Sequence, residues 1–131
     1  MIRQFATSLC LLLAAPVAAQ EIVSGIGGEI RVLDKLTGVV TDLALANGQT
    51  ESVGALSVML GDCRYPSDNV AAEGYARLVI HFRDGVTPIF AGWMLASSPA
   101  LNALDHPRYD VWLLRCRTSS DEGTATENEA D

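Results

Sequence analysis

The residues with the most chemical potential crowd into one stretch, Gly92 to Trp112. It holds both tryptophans, Ser97, Ser98, Asp105, His106, Arg108, Tyr109 and Asp110. One reading is nucleophilic hydrolysis. Ser97 or Ser98 would attack, His106 would take the proton, and Asp110 or Asp105 would orient the imidazole. Neither serine sits in a G-x-S-x-G elbow, and Ser98 also fits as a helix cap. A metal site is a second reading. His81 and His106 are the chain's two histidines, and they form no His-x-His or His-x-x-x-His pair, so no metal and no cofactor is expected.

The third reading is a binding surface. Trp93, Tyr109 and Trp112 would line a groove, with Arg108 and Arg64 at its rim. Trp, Tyr and Arg are the side chains that dominate interface hot spots. The competing role for the aromatics is core packing, with their polar atoms tied internally. Asp110 beside Arg108 and Arg64 reads as an ion pair that fixes the chain path. Asp34-Lys35 reads as turn chemistry.

Those residues need a scaffold, and the chain's 131 residues allow one domain. Its start is an address. Arg3 supplies a positive end, Phe5 to Val17 a short apolar run, and Val17 and Ala19 the small residues before a cut ahead of Gln20. Met1–Ala19 is therefore expected to be a cleaved signal peptide, which places the mature chain in the periplasm. A membrane anchor would need a longer apolar run. A lipoprotein anchor at Cys10 would need Gly or Ala where Leu9 stands. No transmembrane span is expected in the mature chain.

Removing the leader takes away one base and leaves 8 basic against 16 acidic residues, a charge of −8. That balance disfavours a nucleic-acid binder, which needs a basic face to displace counterions. Five of the acids lie in 118–131, which is read as a disordered acidic tail because it offers no apolar surface to offset its ordering entropy. Residues 20–28, with three glycines, read as a flexible lead-in. The folded unit is then 29–117. Two cysteines remain in the mature chain, Cys63 and Cys116. In an oxidising space two such thiols usually pair, the alternative being two buried free thiols.

Inside that unit, alternation and turn residues predict strands at 29–33, 39–46, 55–60, 76–83, 89–94 and 109–116. Asn47-Gly48 predicts a hairpin between the second and third. Ser98 and Pro99 predict a short helix over 99–105, stopped by His106-Pro107. The last strand carries Tyr109, Val111 and Leu113 on one side and Trp112, Leu114 and Cys116 on the other, which predicts a central position with both faces covered. The expected fold is all-β with one short helix: a small antiparallel sandwich or barrel closed by a disulfide.

Longer strings add a resemblance. Gly92-Trp93-Met94-Leu95-Ala96-Ser97-Ser98-Pro99-Ala100-Leu101, then Leu104-Asp105-His106-Pro107-Arg108-Tyr109-Asp110-Val111-Trp112, with Leu33-Asp34-Lys35, Thr37-Gly38, Gly48-Gln49-Thr50 and Cys63-Arg64, resemble the domain of unknown function 2155 family of exported alphaproteobacterial proteins. The match runs from about Ile30 to Cys116. The resemblance implies export and a single domain with two matching cysteines, and it carries over no catalytic residue. The functional expectation is a non-enzymatic interaction module for an envelope protein, with Trp93, Arg108, Tyr109 and Trp112 as contacts. The alternatives are the small serine hydrolase and a small-ligand carrier with an apolar cavity. Oligomeric state is left open.

Overall fold

The computed structural model describes residues 14–122. Most of the expected signal peptide, residues 1–13 with Cys10, lies outside them, as does the acidic tail beyond 122. Residues 14–20 run exposed and without regular structure.

Among the described residues, eight strands form two antiparallel sheets. They are β1 Ile22–Ser24, β2 Gly27–Asp34, β3 Val40–Ala46, β4 Thr50–Val53, β5 Leu56–Pro66, β6 Tyr75–Phe82, β7 Phe90–Leu95 and β8 Tyr109–Arg117. The larger sheet runs β1-β5-β6-β7, with β4 also on β5; the smaller runs β3-β2-β8. Period-2 alternation sends Leu56, Val58 and Leu60 of β5 and Ala76, Leu78 and Ile80 of β6 inward to meet Ile30, Val32, Leu43, Leu45, Val111 and Leu113 of the other sheet. The result is an all-β sandwich, as the alternation predicted.

Two register shifts decide where the cysteines point. In β5 the pairing with β6 slips between Leu60 and Asp62, leaving Gly61 as a bulge. In the β2–β8 pair Glu29 faces Arg115 but Ile30 faces Leu113, so Leu114 is the extra residue. Each slip reverses the alternation. Strict period 2 would turn Asp62 and Arg115 inward and leave both cysteines off the core face. With the bulges, Cys63 and Cys116 each lie three residues beyond an inward leucine, fully buried, and form a disulfide with S–S 2.06 Å and Cα–Cα 5.6 Å. The bond joins β5 of one sheet to β8 of the other.

Several expectations need correction. Gly61-Asp62 does not end its strand; the bulge lets β5 continue to Pro66. Residues 20–28 are not a loose lead-in. β1 pairs with the end of β5, and the chain then crosses to the smaller sheet at Gly25–Gly28. A Cβ on Gly25 would lie 2.4 Å from Arg117 O, on Gly27 2.0 Å from Leu45 O, and on Gly28 3.2 Å from Cys63 Sγ. These glycines mark close approach, not slack. The Asn47-Gly48 turn exists, with Gln49 N–H donating to Ala46 O and Gly48 at φ 84°, yet it joins strands of different sheets and is a corner. The helix over 99–105 shrinks to a 3₁₀ turn, Pro99–Leu101, and Ser98 makes no side-chain cap. β8 is an edge strand and β2 the central one. Residues 118–122, assigned to the tail, fold back: 119–122 make a helical turn and Asp121 accepts from Thr118 N–H and Arg115. Among the described residues no helix is long and apolar enough to cross a membrane.

The disulfide closes a loop between cysteines 53 positions apart. Replacing Cys63 and Cys116 with Ala should lower unfolding free energy by about 4 kcal/mol in the chain-entropy picture. Chemical denaturation of the oxidised chain and the double variant measures it, and intact mass before and after alkylation shows whether the thiols are paired.

Candidate functional site

Parity scatters the residues that the sequence gathers. Met94 points into the core, so its neighbour Trp93 stands on the outer face of the larger sheet. Val111 and Leu113 are buried, so Trp112 stands on the outer face of the smaller sheet. The two tryptophans, 19 positions apart, therefore belong to opposite sides of the sandwich.

Tyr109 is no surface contact. It is 1% exposed, and its Oη accepts the Ala55 N–H at 3.0 Å. Its ring meets Phe82 edge-on, with centroids 6.3 Å apart, and lies under the Arg108 guanidinium. Gly54, at φ 56°, gives the hydroxyl room, since a Cβ there would sit 2.6 Å from it. Tyr109 thus ties β8 to the β4–β5 turn, and the binding role expected of it is withdrawn because it is buried. Arg108 is half-buried and bonded to Asp34 at 3.0 Å, while the Asp34 carboxylate also accepts Leu36 N–H at 3.0 Å. The ion pair is Arg108 with Asp34; Asp110 pairs with Lys35, at 3.5 Å.

The hydrolytic arrangement is not assembled. His106 Nδ1 accepts the N–H groups of Arg108 and Tyr109 at 3.1 and 3.2 Å, and its ring packs on Phe82 with centroids 4.6 Å apart. Among the described residues no hydrogen bond joins His106 to Ser97 or Ser98. The Ser97 hydroxyl donates to Glu73 instead, whose carboxylate also accepts Gly74 N–H and Ser97 N–H. That cluster pins the start of the β7–β8 connection to the loop before β6. Among the described residues no three His, Cys, Asp or Glu side chains group as metal ligands.

What remains exposed is a surface. On the outer face of the larger sheet, cross-strand rows run Arg64–Tyr75–Leu95 and Asp62–Arg77–Trp93. The Arg64 guanidinium lies 5.1 Å from the Trp93 ring centroid, held from the other side by Asp62 at 2.7 Å. Ile22, 43% exposed, completes a shallow groove of about 360 Å³ with Arg64, Tyr75 and Trp93. Ile22 and Tyr75 are contributions that sequence reasoning missed. Extending the alternation of β6 back one residue from Ala76 would have placed Tyr75 outward. Nothing in the sequence signals Ile22, because β1 has only 3 residues. A second hollow, about 280 Å³, lies between the 3₁₀ turn and β8, lined by Pro99, Leu104, Val111 and Trp112 among others.

Comparison with known proteins bears on the family. The family model described as "Uncharacterized protein conserved in bacteria (DUF2155)" matches residues 28–116. The chain belongs to this family. The matched span covers the sandwich from the Gly28 crossing to Cys116, and so includes both bulges and both cysteines. A relative described as an uncharacterised protein of Rickettsia prowazekii (strain Madrid E) is 27% identical over 92 residues, covering 68% of this chain and 59% of the relative. The chain thus spans less than two thirds of that relative's length. No solved structure matches.

Two predictions follow from this geometry. Tyr109→Phe should cost about 1–3 kcal/mol, because it strands the Ala55 N–H, and should leave the outer faces unchanged; equilibrium unfolding measures the first and ring chemical shifts of Trp93 the second. The second concerns acid. The Arg108 guanidinium holds Asp34 below the usual carboxylate range, and Arg31 does the same for Asp42. Burial opposes ionisation of Glu73, but hydrogen bonds from Ser97, Gly74 and Ala96 outweigh it and lower its pKa too. Backbone N–H of Thr118 leads the lowering at Asp121. Each depressed carboxyl contributes stability above its unfolded pKa and loses it as pH falls through the folded one. Stability should therefore be flat near neutrality and fall below about pH 4. Glu73→Gln should flatten part of that fall, read from melting temperatures across the acid range.

Proposed function

We propose that this chain is exported and acts in the periplasm as a non-enzymatic interaction module, binding an envelope protein through the outer face of its larger sheet. The observation that carries the reading is Trp93: a half-buried indole on an outer sheet face, flanked by Tyr75, Leu95 and Ile22 and braced by Arg64. A sandwich that presents aromatic and arginine side chains on an outer face, where solvated sheets usually carry short polar residues, has a surface suited to burial by another protein. Export is supported by the leader pattern of Met1–Ala19 and by a buried disulfide, a bond that persists in oxidising compartments. The engagement of His106 and Ser97 in structural bonds supports a binding role over hydrolysis.

The partner this face suits presents an apolar centre with acidic groups at its margin, facing Arg64 and Arg77. A photo-crosslinking residue at position 75, in the cells that make the protein, should give a discrete protein adduct. Trp93→Ala should weaken that complex by about 2 kcal/mol or more, the usual scale of a hot-spot tryptophan. The same photoreactive residue at position 112 should give no adduct. An adduct at 112 and none at 75 would move the site to the other sheet. Recovery of the chain from the cytosol, with its start intact and its thiols free, would remove the exported reading.

A further inference from the structure

The cut expected after the leader falls beside the first residue that the fold holds. Residues 14–20 run exposed and without regular structure, and backbone pairing starts one residue later. Glu21 C=O accepts Ser67 N–H at 2.9 Å, Ile22 to Ser24 pair with Pro66 to Arg64, and Gly25 N–H donates to Cys63 O at 2.7 Å. A cut ahead of Gln20 therefore trims the chain almost flush with β1 and leaves a glutamine as its new first residue. The Gln20 side chain is exposed and lies outside the sheet. Its amide nitrogen reaches Asp68 Oδ1 at 3.4 Å, a long surface contact that water can replace.

We propose that Gln20 of the exported chain is converted to pyroglutamate, an inference that rests on the exported reading. The freed α-amine attacks the Cδ carbonyl carbon of its own side chain. The N–Cδ bond forms, the Cδ–Nε2 bond breaks, and one amine proton leaves with that nitrogen as ammonia. The ring closes without an oxidant, a reductant or a second substrate. It removes the positive charge of the new terminus, and with it the amine that an aminopeptidase must grip. What it protects is short. β1 has 3 residues, and Ile22 forms one wall of the Trp93 groove. Loss of Gln20 and Glu21 would already take the acceptor away from Ser67 N–H. A terminus held by so few bonds is open to trimming. The lactam thus caps the margin of the proposed binding face. A cut one residue earlier would present Ala19, and one residue later Glu21, and neither has a side-chain amide to close the ring.

Mass spectrometry of the oxidised full chain recovered from the periplasm tests it. After reduction and trypsin, peptide 20–31 should be lighter than its sequence mass by one ammonia, with fragment ions placing the loss on residue 20. Any fraction that still carries a free glutamine amine should convert when the folded protein is incubated. The native chain should resist an aminopeptidase, while Gln20→Ala, with a free amine at the same place, should be trimmed until Ile22 is gone. A start at Gln20 whose amine persists through incubation overturns the proposal and leaves export standing. An exported chain that starts at another residue overturns it and moves the cut. A start at Met1 overturns the proposal and the exported reading together. If Gln20→Ala resists the aminopeptidase as the native chain does, the fold guards β1 and the protective role of the lactam falls.

Discussion

A disulfide between two sheets demands that both cysteines face the core, and in this chain that demand is met by breaking the register of the strands that carry them. Gly61 in β5 and Leu114 in β8 are each one residue too many for their partners. The slip turns Cys63 and Cys116 inward beyond Leu60 and Leu113. The clasp then dictates what its neighbours can be. Gly28 lies opposite Cys116 on β2, and a side chain there would press on the Cys63 sulfur. Gly25 and Gly27 let the backbone change sheets within contact distance of Arg117 and Leu45. Glycines, bulges and disulfide are one device.

The opposite end of the sandwich is closed by hydrogen bonds instead of a covalent bond. Tyr109 reaches the β4–β5 turn, His106 accepts two backbone N–H groups, and Lys35 donates to His106 O at 2.7 Å while its own N–H donates to Arg108 O. Asp34 holds its own turn and Arg108 at once. His106, which looked most like a catalytic base, is a fastening of this end, and Ser97 is a fastening elsewhere, bonded to Glu73. That is why the outer faces, not a cleft, carry the functional reading.

How far the fold was legible depended on strand length. β6 was plain, because Ala76, Leu78 and Ile80 keep strict alternation over a full strand. β1 and β4 were not, since three or four residues are too few for alternation to show. Bulges hide for another reason. Gly61-Asp62 has the composition of a turn, and Leu114 looks like any apolar strand residue, so the parity flip that buries each cysteine leaves no mark in residue types. Trp112 could be placed opposite Val111 from parity alone. That β7 and β8 lie in different sheets, which carries Trp93 and Trp112 to opposite sides, is a long-range fact no local pattern holds. The 99–105 helix failed because Leu101 is 74% exposed, so one turn had no apolar stripe to bury.

The pairing of β2 with β8 has a consequence for the order of events in a nascent chain. Gly27 finds Arg117, and Asp34 finds Tyr109, so the second strand made must wait for the last. Until Tyr109–Arg117 has been made, the smaller sheet is a bare two-stranded ribbon and Cys63 has no mate. Closure of the sandwich therefore waits for β8, and a chain stopped before Tyr109 has neither the third strand of that sheet nor the second sulfur of the clasp.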